Sequence, residues 1–393
     1  MFGIKNIYDA VKWSEKLLEA WGFGNPSNRQ PPIHVWYRGH SDSDKDNYKL
    51  IPNCFRDAAE TSSTTTFEEG GMLIHLMRRL PSCQDRCPST FDALSLSRHY
   101  GLPCRLLDWT ENVLIALWFA VEANNRKDGK IFALNPGILN DKVEFEHFKK
   151  SREPGVFGPE SFHTVVRAEL AMTAYLDELF LRLPVRESAL TVGFSNQFID
   201  QLVKVVILLK EKDIKHLENT ELNKFLAKTY SMPEDFLDSD TEEACAKLYD
   251  LLPVWLQTSS HSVSSPPGKA KEAKKWIFDF LYSLRMPIGV FPDRRNIRIA
   301  AQSGMFVLAG GDYLPNKLER KNTQCRNPNP IHLQEWYDKD DVLKWAIIPN
   351  GSKKDIFDEL EMIGFHSANL FPDFDKQADY IKDYWKVDKW TGS

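Results

Sequence analysis

Three clusters of side chains in this chain have the types and spacing to do chemistry. The first is Arg38-Gly39, which closes an aromatic, β-branched run from Ile33 to Gly39. An arginine there stays charged and presents a fork of donors that suits a pyrophosphate. The glycine after it lets a ligand and the backbone approach closely. The alternative is an Arg38 that pairs with a buried carboxylate, Asp108 for instance, and only holds the fold. The second cluster is His99, Tyr100, Arg105, Asp108, Trp109 and Thr110, set just before a strongly apolar helix. Burying so many polar groups is costly unless they are paired or used. Each has a plain structural alternative. Asp108 can ion-pair with Arg105, His99 can sit at a helix end where the dipole favours it, and Thr110 can cap the helix that follows. The third is Gln302, in the β-like run Ile297–Leu308. Its amide can hydrogen-bond a hydroxyl but brings no charge, and it can equally tie two strands together.

The elements needed to position these groups are legible around them. Residues 6–21 carry Ile7, Val11, Trp13, Leu17, Leu18 and Trp21 at helical spacing. The run Ile33–Gly39 reads as a strand. Thr65 with Glu68, or Thr66 with Glu69, makes a capping box for a helix running to about Leu80. Phe91–Tyr100 reads as a helix with Gly101 as its C-terminal cap and Pro103 barring its continuation. Cys104–Trp109 follows as a short strand, Glu111–Asn124 as a buried helix and Lys130–Leu134 as a strand. Trp118 and Phe119 lie within that apolar helix and belong to a core, not to a base-stacking surface. Residues 353–364 and 374–385 predict two further amphipathic helices. No internal repeat is found.

Composition sets the limits. The 393 residues are 42% hydrophobic and 27% charged, with a net charge of −5, which is ordinary globular usage without the basic excess of a nucleic-acid coat. The six cysteines are scattered, so neither a disulfide framework nor a zinc site is indicated. No signal-peptide plan opens the chain, and its longest apolar run, Val113–Val121, is too short for a bilayer. A cytoplasmic protein without membrane association is expected. One segment, Lys269–Arg326, holds twelve Lys/Arg against five Asp/Glu, so it is +7 while the remainder is −12. It reads either as a funnel for phosphates or as a solvated loop with ion pairs. P-loop, Gly-x-Gly-x-x-Gly and metalloprotease motifs are absent.

Three blocks also carry a family resemblance. Trp36-Tyr37-Arg38-Gly39 is similar to the Phe/Tyr-Arg-Gly motif that names the FRG domain. Ser97–Ala120 (SRHYGLPCRLLDWTENVLIALWFA) resembles that family's longest signature. Arg298–Phe306 (RIAAQSGMF) resembles its Arg-x-x-x-Gln-x-Gly-x-Phe strand. Ile348-Pro349, Lys354 and Leu370-Phe371-Pro372-Asp373 are similar to its C-terminal end. On this basis the chain is identified as a member of the FRG family. Residues 1–32 are expected to form an N-terminal helix and connector, and 33–393 the FRG unit. That unit would hold a helical insertion at about 160–256 and a flexible loop at about 257–275.

The arrangement in turn resembles ADP-ribosyltransferases that carry an arginine on their first strand. The resemblance implies an α+β fold, with a mixed or antiparallel central sheet, surrounding helices and an ADP-ribosyltransferase-like core. It implies NAD as substrate, held by Arg38, Gly39, His99, Tyr100, Arg105 and Thr110. Arg38, Gln302 and Asp108 are the catalytic candidates. Gln302 stands where such an enzyme would place a glutamate on its third strand, so a carboxylate from elsewhere, Asp108 or Glu111, would have to stabilise the cationic transition state. The implied role is a toxin or phage-defence effector acting on nucleic acid or protein, with a neutralising antitoxin as partner. The alternative from another class is a non-catalytic module that binds a nucleotide or a partner.

Overall fold

A computed structural model describes residues 3–21, 35–43, 50–55, 90–123, 126–142, 239–251, 287–290, 296–309 and 342–386, with isolated positions elsewhere. Most of the expected helix after Thr65, of the loop 257–275, of the insertion at 160–256 and of the basic segment lies outside these residues; the described positions Met72, Leu73, His75, Leu76 and Arg79 are helical, and Lys269, within the expected loop, is helical as well.

Six strands form one antiparallel sheet. They are β1 (Trp36–His40), β2 (Leu106–Thr110), β3 (Gly129–Leu134), β4 (Ile288–Val290), β5 (Gly304–Leu308) and β6 (Leu343–Ile348), ordered β4-β5-β2-β1-β3-β6. β1 is central. It pairs along its whole length with β3, from Trp36↔Leu134 to His40↔Lys130, but with β2 only at Tyr37↔Thr110. β2 is held on its other side by β5, from Leu106↔Leu308 to Thr110↔Gly304.

The alternation of side chains across a strand divides the core in two. On one face, Tyr37, Ile131, Ala133, Ala346 and Ile348 meet three helices. These are α1 (Ile7–Ala20), α3 (Val113–Val121) and α7 (Asn350–Met362). On the other face lie Trp36, Leu107, Trp109, Phe132, Leu134, Met305 and Val307. The remaining described helices are α2 (Thr90–His99), α4 (Pro136–Lys142), α5 (Ser239–Asp250), α6 (Ile297–Ala301), α8 (Ser367–Leu370) and α9 (Phe374–Tyr384).

The N-terminal helix thus shares the core of the sheet. Ala10, Trp13 and Leu17 are buried, and Asn6 caps it by accepting from the Asp9 N–H at 2.8 Å. α3 is the most apolar helix described, and its polar end is supplied by Asn112, whose Oδ1 accepts from the Leu114 N–H at 2.9 Å. Asn112, not Thr110, is therefore the cap; β2 runs one residue further than expected and carries Thr110 into the sheet. Gly101 ends α2 at φ +81° and donates to the Arg98 carbonyl at 3.1 Å, as a C-terminal glycine does.

The expected strand Ile297–Leu308 is two elements. Asn296 caps a helical turn, Ile297–Ala301, Gln302 closes it, and the strand begins only at Gly304. The composition of this run is β-like, but the Asn296 side chain accepts from the Arg298 and Ile299 amides and starts a turn instead. Ser303, at φ +45°, turns the chain from helix to strand.

Lys353 fastens the end of this architecture. It lies on the buried stripe of α7 with Ile356 and Leu360, yet its Nζ donates to the carbonyls of Ser41 and Ala123 at 2.8 Å and of Lys127 at 3.3 Å. One cation thereby joins the ends of β1 and α3 to the turn before β3. Burial lowers its pKa, while Asp42 and Asp128 nearby oppose that shift. Among the described residues no helix is long and apolar enough to cross a membrane.

Candidate functional site

Of the second sequence cluster, Asp108 and Thr110 lie where β1 and β2 part, while Trp109 faces the opposite side of the sheet and Tyr100 is largely exposed. Beyond Tyr37↔Thr110 the two strands have no further register pair. Arg38 bridges them by side chain. Its Nη1 donates to the Asp108 carbonyl oxygen, and its Nε donates to His40 Nε2 at 3.0 Å. Its Nη1 lies 4.0 Å from the Asp108 carboxylate, and its side chain is only 15% exposed.

The carboxylate itself is gripped by Arg98. Arg98 Nε donates to Oδ1 at 3.1 Å and to Oδ2 at 3.2 Å, and Nη2 donates to Oδ2 at 2.5 Å. The partners weighed from the sequence were Arg38, which lies 4.0 Å away, and Arg105, which is buried at 5% exposure just before β2. The helical spacing explains the change. Arg98 sits in the last turn of α2, packed on β2, and the chain reversal at Gly101 brings it over Asp108. Burial acts to raise the Asp108 pKa, but Arg98 first, then Arg38 and Arg298, outweigh it and hold the carboxyl below its ordinary range. Asp108 is therefore ionised, with its side chain still 41% exposed. In return, Asp108 raises the Arg98 pKa despite burial.

Gly39 has a structural task in the fold. A Cβ there would stand 1.9 Å from the Ala116 carbonyl oxygen and 2.7 Å from the Ala120 nitrogen. The close approach is to the backbone of α3, so the glycine of the Tyr-Arg-Gly motif lets the central helix lie against the central strand.

Gln302 is likewise relocated. It is not on a strand; it closes α6. Its side-chain Nε2 donates to the Leu370 carbonyl at 3.0 Å, and its own carbonyl accepts from Thr110 Oγ1 at 2.7 Å. The glutamine thus ties β2 to the C-terminal segment, not strand to strand. Thr110 Oγ1 also accepts from the Asn112 N–H at 3.1 Å, so this hydroxyl is buried and engaged.

The C-terminal segment forms the remaining wall. Arg298 stacks on the Phe371 ring at 4.7 Å, and Phe371 packs in turn against Trp118 and Phe119. His99 Nε2 lies 3.5 Å from Asp373 Oδ1. Burial lowers the His99 pKa, with Asp373 raising and Arg298 lowering it further. Tyr100 leans edge-on against His99, with ring centroids 5.0 Å apart, and is itself 59% exposed. Arg38, Arg98, His99, Asp108, Thr110, Arg298 and Gln302 therefore belong to one linked neighbourhood. No group of three metal-ligating side chains occurs among the described residues.

Residues 33–129 match the FRG domain family. The matched FRG segment contains β1, α2, β2 and α3, and so the whole Arg38–Arg98–Asp108 junction. No curated protein and no solved structure matches the chain.

Sequence reasoning missed Arg98 and Asp373. Arg98 carried a signal: it lies three residues before the helix-ending Gly101, in the turn that must face the following strand. Asp373 carried none beyond its place in Leu370-Phe371-Pro372-Asp373, because only the fold brings residue 373 to residue 99.

Proposed function

We propose that the Arg38–Arg98–Asp108 junction holds the diphosphate of a nucleotide, with NAD as its substrate in an ADP-ribosyl transfer. One observation carries this reading: Arg38, Arg98 and Arg298 all bear on a single ionised, partly exposed carboxylate, Asp108. Two guanidinium groups held at one carboxylate, with Arg298 adding its charge from the Phe371 wall, leave an excess of positive charge. That excess suits a dianionic diphosphate far better than it suits a neutral ligand. His99 and Tyr100 line the same wall, Thr110 supports it from within β2, and Arg105 is buried just before that strand.

ADP-ribosyl transfer breaks the bond between nicotinamide and ribose, releases nicotinamide and joins the ribose carbon to an acceptor that gives up a proton. The developing positive charge on the ribose calls for a carboxylate. Asp108 is the carboxylate at the junction, since the Gln302 amide is engaged with the Leu370 carbonyl. The toxin or phage-defence role, the acceptor and a neutralising partner belong to the same proposal.

A second reading, nucleotide binding without cleavage, is favoured by the bidentate hold of Arg98 on Asp108, which neutralises much of its charge. The test mixes purified protein with NAD labelled on its adenylate portion and with cell lysate, then separates protein, RNA and DNA. Arg38→Ala and Asp108→Asn are run alongside, with circular dichroism to confirm folding. Label transferred by the wild type and lost in both variants supports the transferase and names its acceptor class. NAD binding by calorimetry without nicotinamide release supports the binding module instead. Absence of both binding and release refutes the nucleotide reading.

A further inference from the structure

Asp373 occupies the N-cap position of α9, where an aspartate ordinarily accepts from the first free amides of its own helix. It makes no such bond. Its carboxylate turns away from α9 and lies 3.5 Å from His99 Nε2. The other ring nitrogen, Nδ1, is closed off from solvent and has no hydrogen-bond partner among the described residues. A buried ring nitrogen without a partner is costly, and such groups in native structures commonly answer to a ligand or an ordered water.

We propose that Asp373 is a positioning residue: it accepts the Nε2–H of His99, fixes the neutral Nε2–H tautomer, and so makes Nδ1 an acceptor for a neutral donor, a hydroxyl or amide, of the bound ligand. The proposal rests on the nucleotide reading for its ligand but not for the tautomer. A neutral imidazole has one donor and one acceptor nitrogen, and the bond made at one decides the other. With a carboxylate at Nε2, Nδ1 carries the lone pair. Phosphate oxygens are acceptors too, so they gain nothing from Nδ1; the charged part of the ligand goes to the arginines and an O–H or N–H goes to His99. Tyr100, packed edge-on against the imidazole and largely exposed, is the side chain that can rotate to uncover the ring.

Two features of the C-terminal segment hold Asp373 in this place. Phe371 is clamped between Arg298 and the α3 aromatics. Gln377 Nε2 donates to the carbonyls of Ala368 and Phe371, the latter at 3.1 Å, which fixes the start of α9 against α8. The segment therefore delivers a carboxylate to His99 from more than 270 positions away in sequence, at the same wall as Arg298.

The experiment is a ring-nitrogen NMR spectrum of the full chain labelled at histidine, with NAD as probe and ADP-ribose, which lacks the nicotinamide carboxamide, as comparison. His99→Asn assigns the signal. The expected spectrum shows His99 neutral with Nε2 protonated and Nδ1 shifting when the probe binds. A Nδ1 shift with both probes identifies a hydroxyl or the adenine amino group of the ADP-ribose portion; a shift with NAD alone identifies the carboxamide. Asp373→Ala should release the tautomer preference and weaken NAD binding about three- to tenfold, the loss of roughly one hydrogen bond. Asp373→Asn, whose amide oxygen still accepts, should restore both. A Nδ1–H tautomer or a protonated ring in the wild type overturns the proposal. So does an Asp373→Ala variant with unchanged spectrum and affinity. If the wild type binds neither probe, the nucleotide reading and the ligand contact fall together, and the tautomer in wild type and Asp373→Ala still decides the role of Asp373.

Discussion

Gly39→Ala is the substitution whose cost the geometry fixes best. The added methyl would sit 1.9 Å from the Ala116 carbonyl oxygen and 2.7 Å from the Ala120 nitrogen. Both are backbone atoms of α3, so no side chain can rotate out of the way. Relief requires α3 to lift from β1 by about 1 Å or more, since contacts below that spacing are repulsive. That helix buries Ile115, Ala116, Leu117, Trp118, Ala120 and Val121 against β1, α1 and α7. A gap of that size forfeits a quarter to a half of the dispersion attraction on one side and overpacks the other. A loss of about 3–5 kcal/mol follows, a large share of the roughly 5–15 kcal/mol that holds a typical domain together. Guanidinium unfolding followed by tryptophan fluorescence measures it, with a lowered midpoint and an unchanged slope as the expected form. Gly39→Ala losing less than about 1 kcal/mol would refute the reasoning, because the helix would then have room that the close packing denies. A stable variant that had lost NAD binding would return Gly39 to the ligand-contact role first read from the sequence.

Three further outcomes are expected. Lys353→Met keeps the apolar stem but strips the bonds to the Ser41, Ala123 and Lys127 carbonyls, and should cost about 3 kcal/mol in the same unfolding experiment. Ser303→Gly should stabilise the protein by about 1 kcal/mol, because φ +45° strains a residue with a Cβ; an unchanged midpoint would count against strain at that turn. Asp108→Asn should change the acid limb of stability. The folded Asp108 pKa is depressed, so its contribution is present above the unfolded value of about 3.9 and is lost as pH falls through the folded one. Wild type and variant stability curves should therefore converge below about pH 4, and curves that stay parallel through the acid range would show that Asp108 is not the linked group.

The elements themselves were largely legible in the sequence. Helical spacing located α1, α2, α7 and α9, and an unbroken apolar run bounded by Asn112 and Glu122 located α3. These depend on contacts within a few residues, where period and capping chemistry act directly. The exception, α6, shows how one local bond overrides composition: the Asn296 side chain starts a turn in a run of β-like composition. Lys353 was readable in principle, as a lysine on an apolar stripe with Ile356 and Leu360.

The site was legible as a set of residue types and not as a set of partners. The sequence by itself determined that Arg38, His99, Asp108 and Gln302 were unusual, since buried polar groups must be answered by something. Only the tertiary structure decided what answers each of them. Asp108 is held by Arg98 because a helix reverses at Gly101; Gly39 packs against a helix because α3 crosses β1 there; and Gln302 reaches Leu370, as His99 reaches Asp373, because the chain returns to the sheet near its end. Propensity and pattern act over one or two turns of chain, whereas pairing across 68 or more residues is set by the packing of the whole sheet and its helices.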